Sequence, residues 1–328
     1  MKSQLVDRIL LANSIATINI QSAIEGYILN CRCEGKSEAT IKNYQYRLKC
    51  FIWFCQVNNY PNEPQGLTPN HIRQFLWYLA SASNRWGGGS SSARKPASQA
   101  TANHYYRVLH SFFSWLQQEG FITDNPFGHI KAPKAGKNVV QALNPQEVEA
   151  LLSKCSSKIF LDVRNRAIVM MLLDTGMRVF ELANLSLDDI DMTTGSILVR
   201  RGKGNKQRVV RIGSKTQKAL WRYMTLCRHG SSDRLFLDQG GEPLGVTGIK
   251  LMIRRLGKKA GVHGVHVHRL RHTFAISFLR AGGDVFSLQY LLGHSTLVMT
   301  QRYLQSLNAD DAVDAHRRCS PLDNMYKK

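Results

Sequence analysis

Three short segments in the second half of the chain place cations where a turn or a helix end would present them. In residues 175–182, TGMRVFEL, Gly176 frees the backbone to turn sharply, and Arg178 is expected in the first turn of the next helix. An arginine there joins exposed backbone N–H groups in a setting suited to an anion. The plainer alternative is a surface arginine paired with Glu181. In residues 202–206, GKGNK, Lys203 rides a glycine-flanked turn. From that turn it can reach a phosphate or a leaving oxygen; the plainer alternative is a solvated basic turn. In residues 265–272, VHVHRLRH, His268 and Arg271 are three apart and share one face at a helix start. His268 and His272, with His263 and His266 upstream, also have the spacing of a zinc site. Arg269 and Arg271 would repel a divalent cation, and no nearby Cys or carboxylate offsets them. Imidazole and guanidinium converging at a helix start suit an anion better, and no metal is expected.

Downstream, residues 291–303 read LLGHSTLVMTQRY. Gly293 fits a helix stop and Ser295 the cap of a following helix, with His294 between them. Thr300, Gln301 and Arg302 then precede Tyr303. A single tyrosine among the 11 of the chain is ordinarily a packing residue, so Tyr303 attracts no catalytic role on its own.

The elements that must position these groups divide the chain in two, with the boundary expected near residue 138. In the first half, residues 37–56 carry apolar side chains at Ile41, Tyr44, Leu48, Phe51, Ile52 and Cys55, one helical face. Thr68-Pro69 reads as a cap followed by proline at the first helical position, with Ile72, Phe75, Leu76 and Leu79 repeating behind it. Residues 98–118 form a third helical stretch; the GGGSSS run in 87–92 predicts a flexible surface loop, longer than a compact helical unit requires. Asn144-Pro145 with Glu147 predicts a capping box opening the second half. There, helices are expected over 166–174, from 178, and at about 214–228, 246–260, 269–281, 285–292 and 296–303. Residues 196–200 and 207–212 read as a β-hairpin around Lys203. The fold class is mainly α with a small β-sheet, α+β.

Composition narrows the partners. Among 328 residues, 44 Lys and Arg face 23 Asp and Glu, a formal net charge of +21, which draws a polyanion by long-range field and counterion release. Nucleic acid leads, and an acidic membrane surface comes second. The 43% hydrophobic content excludes a disordered chain. No apolar run approaches a bilayer span, and no signal peptide is read, so a cytoplasmic protein is expected. Seven cysteines without a CxxC pair suggest neither a disulfide framework nor a zinc ribbon. No phosphate-binding loop of the GxxxxGK[ST] type is present, so nucleotide hydrolysis is not indicated.

Taken together and in this order, TGMRVFEL, GKGNKQR, HRLRHTFA and LLGHSTLVMTQRY resemble the catalytic domain of tyrosine recombinases, the phage-integrase and Xer family. The resemblance implies a helical SAM-like core-binding domain at 20–130, a linker at 131–142, a catalytic domain at 143–310 and a tail at 311–328. Carried over residue by residue, it assigns Arg178, Lys203, His268, Arg271 and His294 to the active site and Tyr303 as nucleophile. Glu181 takes the place of a supporting acidic residue, and His272 is structural. The implied activity is site-specific cutting and rejoining of double-stranded DNA through a 3′-phosphotyrosyl link, with no cofactor, metal or ATP. The implied assembly is a homo-tetramer on two DNA sites, and accessory proteins are a further class of partner. No extra domain of roughly 60 residues is expected ahead of the helical half, an expectation that favours a simple Xer-like arrangement over lambda-type arm binding. Two rivals share the chemistry or the scaffold: a type IB topoisomerase that relaxes DNA, and an inactive DNA-binding regulator. The complete set of site residues argues against decay, and the spacing from His294 to Tyr303 favours recombination.

Overall fold

Helix starts in this chain are written by capping residues. In the computed structural model, residues 18–88, 93–134, 141–156, 159–200 and 207–307 are described, with 311, 313, 314, 316, 317, 320 and 325 beyond them. The chain forms two compact units, Met1–Asn138 and Val139–Lys328. Lys203 with its turn, residues 89–92 of the Gly/Ser-rich loop and residues 135–140 of the linker lie outside the described residues.

The first unit is built from α1 (Ile20–Cys33), α2 (Glu38–Val57), α3 (Pro69–Ser81) and α4 (Gln99–Gln118). Asn19, Ser37, Thr68 and Ser98 each accept a backbone N–H from the helix they open. At Thr68 the cap is reciprocal, with His71 Nδ1 taking the Thr68 N–H at 3.1 Å. The core is aromatic: Tyr27, Phe51, Phe75, Phe112 and Phe113 are buried, and the Phe51 and Phe75 rings meet edge-on with centroids 5.1 Å apart. Burying a ring of that size is worth roughly 1.5–3 kcal/mol. The Tyr27 hydroxyl is satisfied by Ser111 Oγ at 2.7 Å.

The second unit starts at α5 (Pro145–Ser153), where Asn144 and Glu147 close the expected capping box. Then come α6 (Phe160–Thr175), the short α7 (Val179–Ala183), strands β1 (Ile190–Asp191), β2 (Ser196–Val199) and β3 (Arg208–Arg211), and α8 (Ser214–Leu226). The remainder is α9 (Val246–Lys259), α10 (Val267–Arg280), α11 (Val285–Leu292) and α12 (Leu297–Leu304). The three strands pair antiparallel in order, with Ile197 opposite Val210 and Val199 opposite Arg208. Helix α6 packs against α8 and α10, and α10 also supports α11 and α12.

Two expectations shift. Arg178 is the residue before α7 rather than in its first turn, because its N–H is taken by the Glu181 carboxylate as in a cap. Ser295 does not cap α12: Thr296 stands at that position and makes no side-chain cap, while the Ser295 hydroxyl turns to the Met299 sulfur. Among the described residues no helix is long and apolar enough to cross a membrane, and all cysteines are free.

Candidate active site

Two left-handed glycines define the floor of the site. Gly176 ends α6 with φ 59° and Gly293 ends α11 with φ 62°, a backbone that side chains with a Cβ rarely adopt. Any Cβ at Gly176 would lie 2.2 Å from the Phe274 ring, and one at Gly293 would lie 2.9 Å from the Arg208 guanidinium. Closely packed turns of this kind leave carbonyl oxygens at helix C-termini, where partial negative charge accumulates.

Three arginines take those oxygens. Arg271, from α10, donates to Gly176 O at 2.7 Å and to Leu292 O at 2.8 Å. Arg178 donates to Gly293 O at 2.9 Å, and Arg208, from β3, to Leu291 O at 2.7 Å. Glu181 binds two of the three. Both its oxygens pair with Arg208, at 2.9 and 2.7 Å, and Oε1 also receives Arg178 at 2.9 Å. Burial by itself would raise the Glu181 carboxyl, but the hydrogen bonds and charge of Arg208, helped by Arg178, hold it below the usual carboxylate range. Three guanidiniums against one carboxylate leave a positive excess, tolerable in a buried site because helix-end carbonyls absorb part of it.

Exposure separates their tasks. The Arg208 side chain is 4% exposed and serves Glu181; the Arg178 side chain is 23% exposed and can meet a ligand. Arg271 is buried, and desolvation followed by the charge of Arg178 lowers it to about 10. Its bonds to Gly176, Leu292 and His294 use three of the five N–H groups an arginine carries, so the guanidinium is fixed and still has donors to offer.

The histidines and the tyrosine complete the cluster. His294 lies with Nε2 2.9 Å from Arg271 Nη2 and Nδ1 2.9 Å from the hydroxyl of the fully buried Thr300. Desolvation, then the charges of Arg271, Arg178 and Arg208, lower its pKa to about 4, so the ring is neutral at neutral pH. Tyr303, partly buried on α12, stacks parallel to His294 with centroids 6.0 Å apart, and its phenol also bears electrostatically on Arg271. His268, at the start of α10, is exposed; incomplete solvation and then the charges of His266 and Arg271 push its pKa down. Arg178, Glu181, Arg271, His294 and Tyr303 thus belong to one linked cluster, and His268 stands at its edge. His272 packs on Tyr303 with ring centroids 5.3 Å apart. Arg269 is tied to Glu147 at 3.0 Å, away from this set. Among the described residues no three His, Cys, Asp or Glu side chains gather as a metal site requires.

Arg208 and Thr300 are the members that sequence reasoning passed over. The signal for Arg208 was available: in the alternating strand RVVR, burial falls on Arg208 and Val210, and a cation at an inward position demands a buried acid. Thr300 lies three residues before Tyr303 on one helical face, but nothing local marks it as a partner of His294.

Known proteins match the chain along most of its length. Residues 141–309 match the phage integrase family, and residues 24–121 match the phage integrase N-terminal SAM-like domain. The chain is 33% identical over 303 residues to tyrosine recombinase XerC of Oceanobacillus iheyensis, covering 90% of this chain and 94% of that one. It is 37% identical over 295 residues to the XerC of Bacillus subtilis, covering 87% and 92%. A lambda integrase tetramer bound to a Holliday junction has the same fold, with TM-score 0.68 at 21% identity over 89% of this chain and 81% of that one. With a match across more than half its length and relatives of that identity over nearly all of it, the chain belongs to the phage integrase family of tyrosine recombinases.

Proposed function

We propose that this site-specific tyrosine recombinase cuts and rejoins double-stranded DNA through a 3′-phosphotyrosyl link at Tyr303. The observation that carries the assignment is the linked set Tyr303, His294 and Arg271, with Arg178 and Glu181 alongside. A phosphodiester is anionic, and its pentavalent transition state concentrates charge on the non-bridging oxygens. Arg178 and Arg271 supply permanently charged, forked donors already held in place by backbone carbonyls, so little reorganisation is needed when charge develops. A free phenol with a pKa of about 10 is a weak nucleophile, so attack requires that its proton be taken up.

In the forward step the Tyr303 phenol gives up its proton by way of His268, its oxygen bonds phosphorus and the bond to the 5′ oxygen breaks. Lys203 protonates the departing oxygen, His268 assists proton transfer and His294 bonds the phosphate. The phosphotyrosine conserves the bond energy, so a second 5′ hydroxyl reverses the step without ATP or a metal. The tetrameric lambda integrase of the same fold supports a homo-tetramer on two DNA sites here. Relaxation of supercoils and regulation without catalysis are not favoured, since the curated relatives are tyrosine recombinases over most of their length.

A nicked suicide duplex carrying the flanking DNA of the chain's own gene tests the proposal. The wild-type protein is expected to form a denaturant-resistant protein–DNA adduct, and Tyr303→Phe to bind the duplex without forming it. An undiminished adduct in Tyr303→Phe refutes the nucleophile assignment.

A further inference from the structure

His294 has two ring nitrogens and two unlike partners, and together these fix where its proton lies. Arginine has donors and no acceptor. The 2.9 Å approach of Arg271 Nη2 to His294 Nε2 therefore requires a lone pair on Nε2. The single proton of the neutral ring then sits on Nδ1, from which it is donated to Thr300 Oγ1 at 2.9 Å. Thr300 is fully buried, so no water competes for that bond. Without an acceptor at Nδ1, the ring would be free to swap tautomers or rotate, and a buried N–H would lose its partner.

We propose that Thr300 is a positioning residue: it accepts the Nδ1–H of His294 and so, together with Arg271 at Nε2, holds the ring as the Nδ1–H tautomer with Nε2 aimed as an acceptor at the guanidinium. This rests on the phosphotyrosine reading of the site. Two consequences follow from the geometry. First, Thr300 and Tyr303 lie on the same face of α12, so the helix that carries the phenol also sets the ring that touches Arg271. Displacement of α12 therefore disturbs both the nucleophile and the phosphate-binding guanidinium. Second, in the protein without DNA, Nε2 has no proton to give. With that tautomer kept, His294 can donate a hydrogen bond to a phosphate oxygen only after Nε2 takes up one proton from solvent, forming the imidazolium while Nδ1–H stays on Thr300. The negative phosphodiester favours that uptake by offsetting the charges of Arg271, Arg178 and Arg208, which add to the effect of burial in holding the free ring neutral.

Two measurements on the full chain test this. Nitrogen-15 NMR of the histidine rings without DNA is expected to show His294 protonated at Nδ1 and bare at Nε2 in the wild type and in Thr300→Ser. In Thr300→Val, which keeps the shape and removes the acceptor, that signature should be lost. On the nicked suicide duplex, Thr300→Val should form adduct about ten- to a hundred-fold more slowly, the size of loss known for histidines bound to metals when their outer hydrogen-bond partner is removed. Thr300→Ser should restore the rate, with duplex binding unchanged in both. A wild-type ring protonated at Nε2, or a Thr300→Val that keeps the wild-type rate, overturns the proposal. Absence of adduct from the wild type counts against the phosphotyrosine reading instead, and leaves the NMR result to decide the role of Thr300.

Discussion

The two units bury different things. Among the described residues of the first, Arg85 is the one buried charged side chain, and the core is a run of aromatic rings and aliphatics. The second buries Arg164, Glu181, Asp189, Arg208 and Arg271, with Thr175, Thr216, Thr273 and Thr300. An aromatic core tolerates imprecision, because dispersion and water exclusion have no direction. A buried charge network does not: each group must meet a partner at the right distance or carry an uncompensated desolvation cost. The first unit is therefore organised by packing, whereas the second is organised around guanidiniums held by a shared carboxylate and helix-end carbonyls.

Paired substitutions break this comparison most sharply. Phe112→Ala in the first unit and Glu181→Gln in the second should each destabilise by about 3–5 kcal/mol, one through a cavity and the other by stranding a buried Arg208. Denaturant unfolding measures both. Their effects on cleavage should diverge: Phe112→Ala acts only through the folded fraction, while Glu181→Gln slows adduct formation by the folded protein, because Arg178 and Arg208 lose their common anchor. Equal cleavage by the two folded variants would remove the distinction between the units.

Acid sharpens it next. His294 has a folded pKa of about 4 against an ordinary 6.5, so the unfolded chain binds its proton first as pH falls. Its contribution to stability is complete above pH 6.5 and is lost as pH drops toward 4. Glu181, also lowered, loses its contribution further down, as pH falls below the ordinary carboxylate range toward its lowered value. Urea unfolding of the second unit between pH 7 and 4.5 should therefore show falling stability, and His294→Gln should flatten the decline.

Thiol reactivity gives a smaller contrast, now within the first unit. Cys33 is exposed, whereas burial pushes Cys55 up to about 12. Alkylation at neutral pH followed by peptide mapping should label Cys33 and leave Cys55 unmodified until the unit unfolds. Smallest is the effect of caps: Thr68→Ala and Asn144→Ala should each cost about 1 kcal/mol, the same in both units, since capping is local.

That locality also explains what could be read from the sequence. Thr68-Pro69, Asn144-Pro145-Glu147, Gly176 and Gly293 announced helix ends because their signal needs only neighbouring residues. The hairpin strands were visible by alternation, but β1 is two residues long and carries no period. Ser295 was mistaken for a cap because Ser and Thr stand side by side and only the backbone decides which one precedes the helix. In the site, Arg178, Arg271, His294 and Tyr303 were marked by three of the four motifs. Arg208 was hidden inside the second motif, since its partner Glu181 lies 27 residues away and the pairing exists only once β3 packs near α7. Thr300 was hidden for the related reason that its role depends on the tautomer of another residue.

The most direct measurement is the identity of the residue that becomes esterified to DNA. After the nicked suicide duplex has trapped the adduct, proteolysis and mass spectrometry should place a nucleotide on the phenol oxygen of Tyr303, joined through a 3′ phosphate. A nucleotide on any other side chain, or a 5′ linkage at Tyr303, would contradict the account.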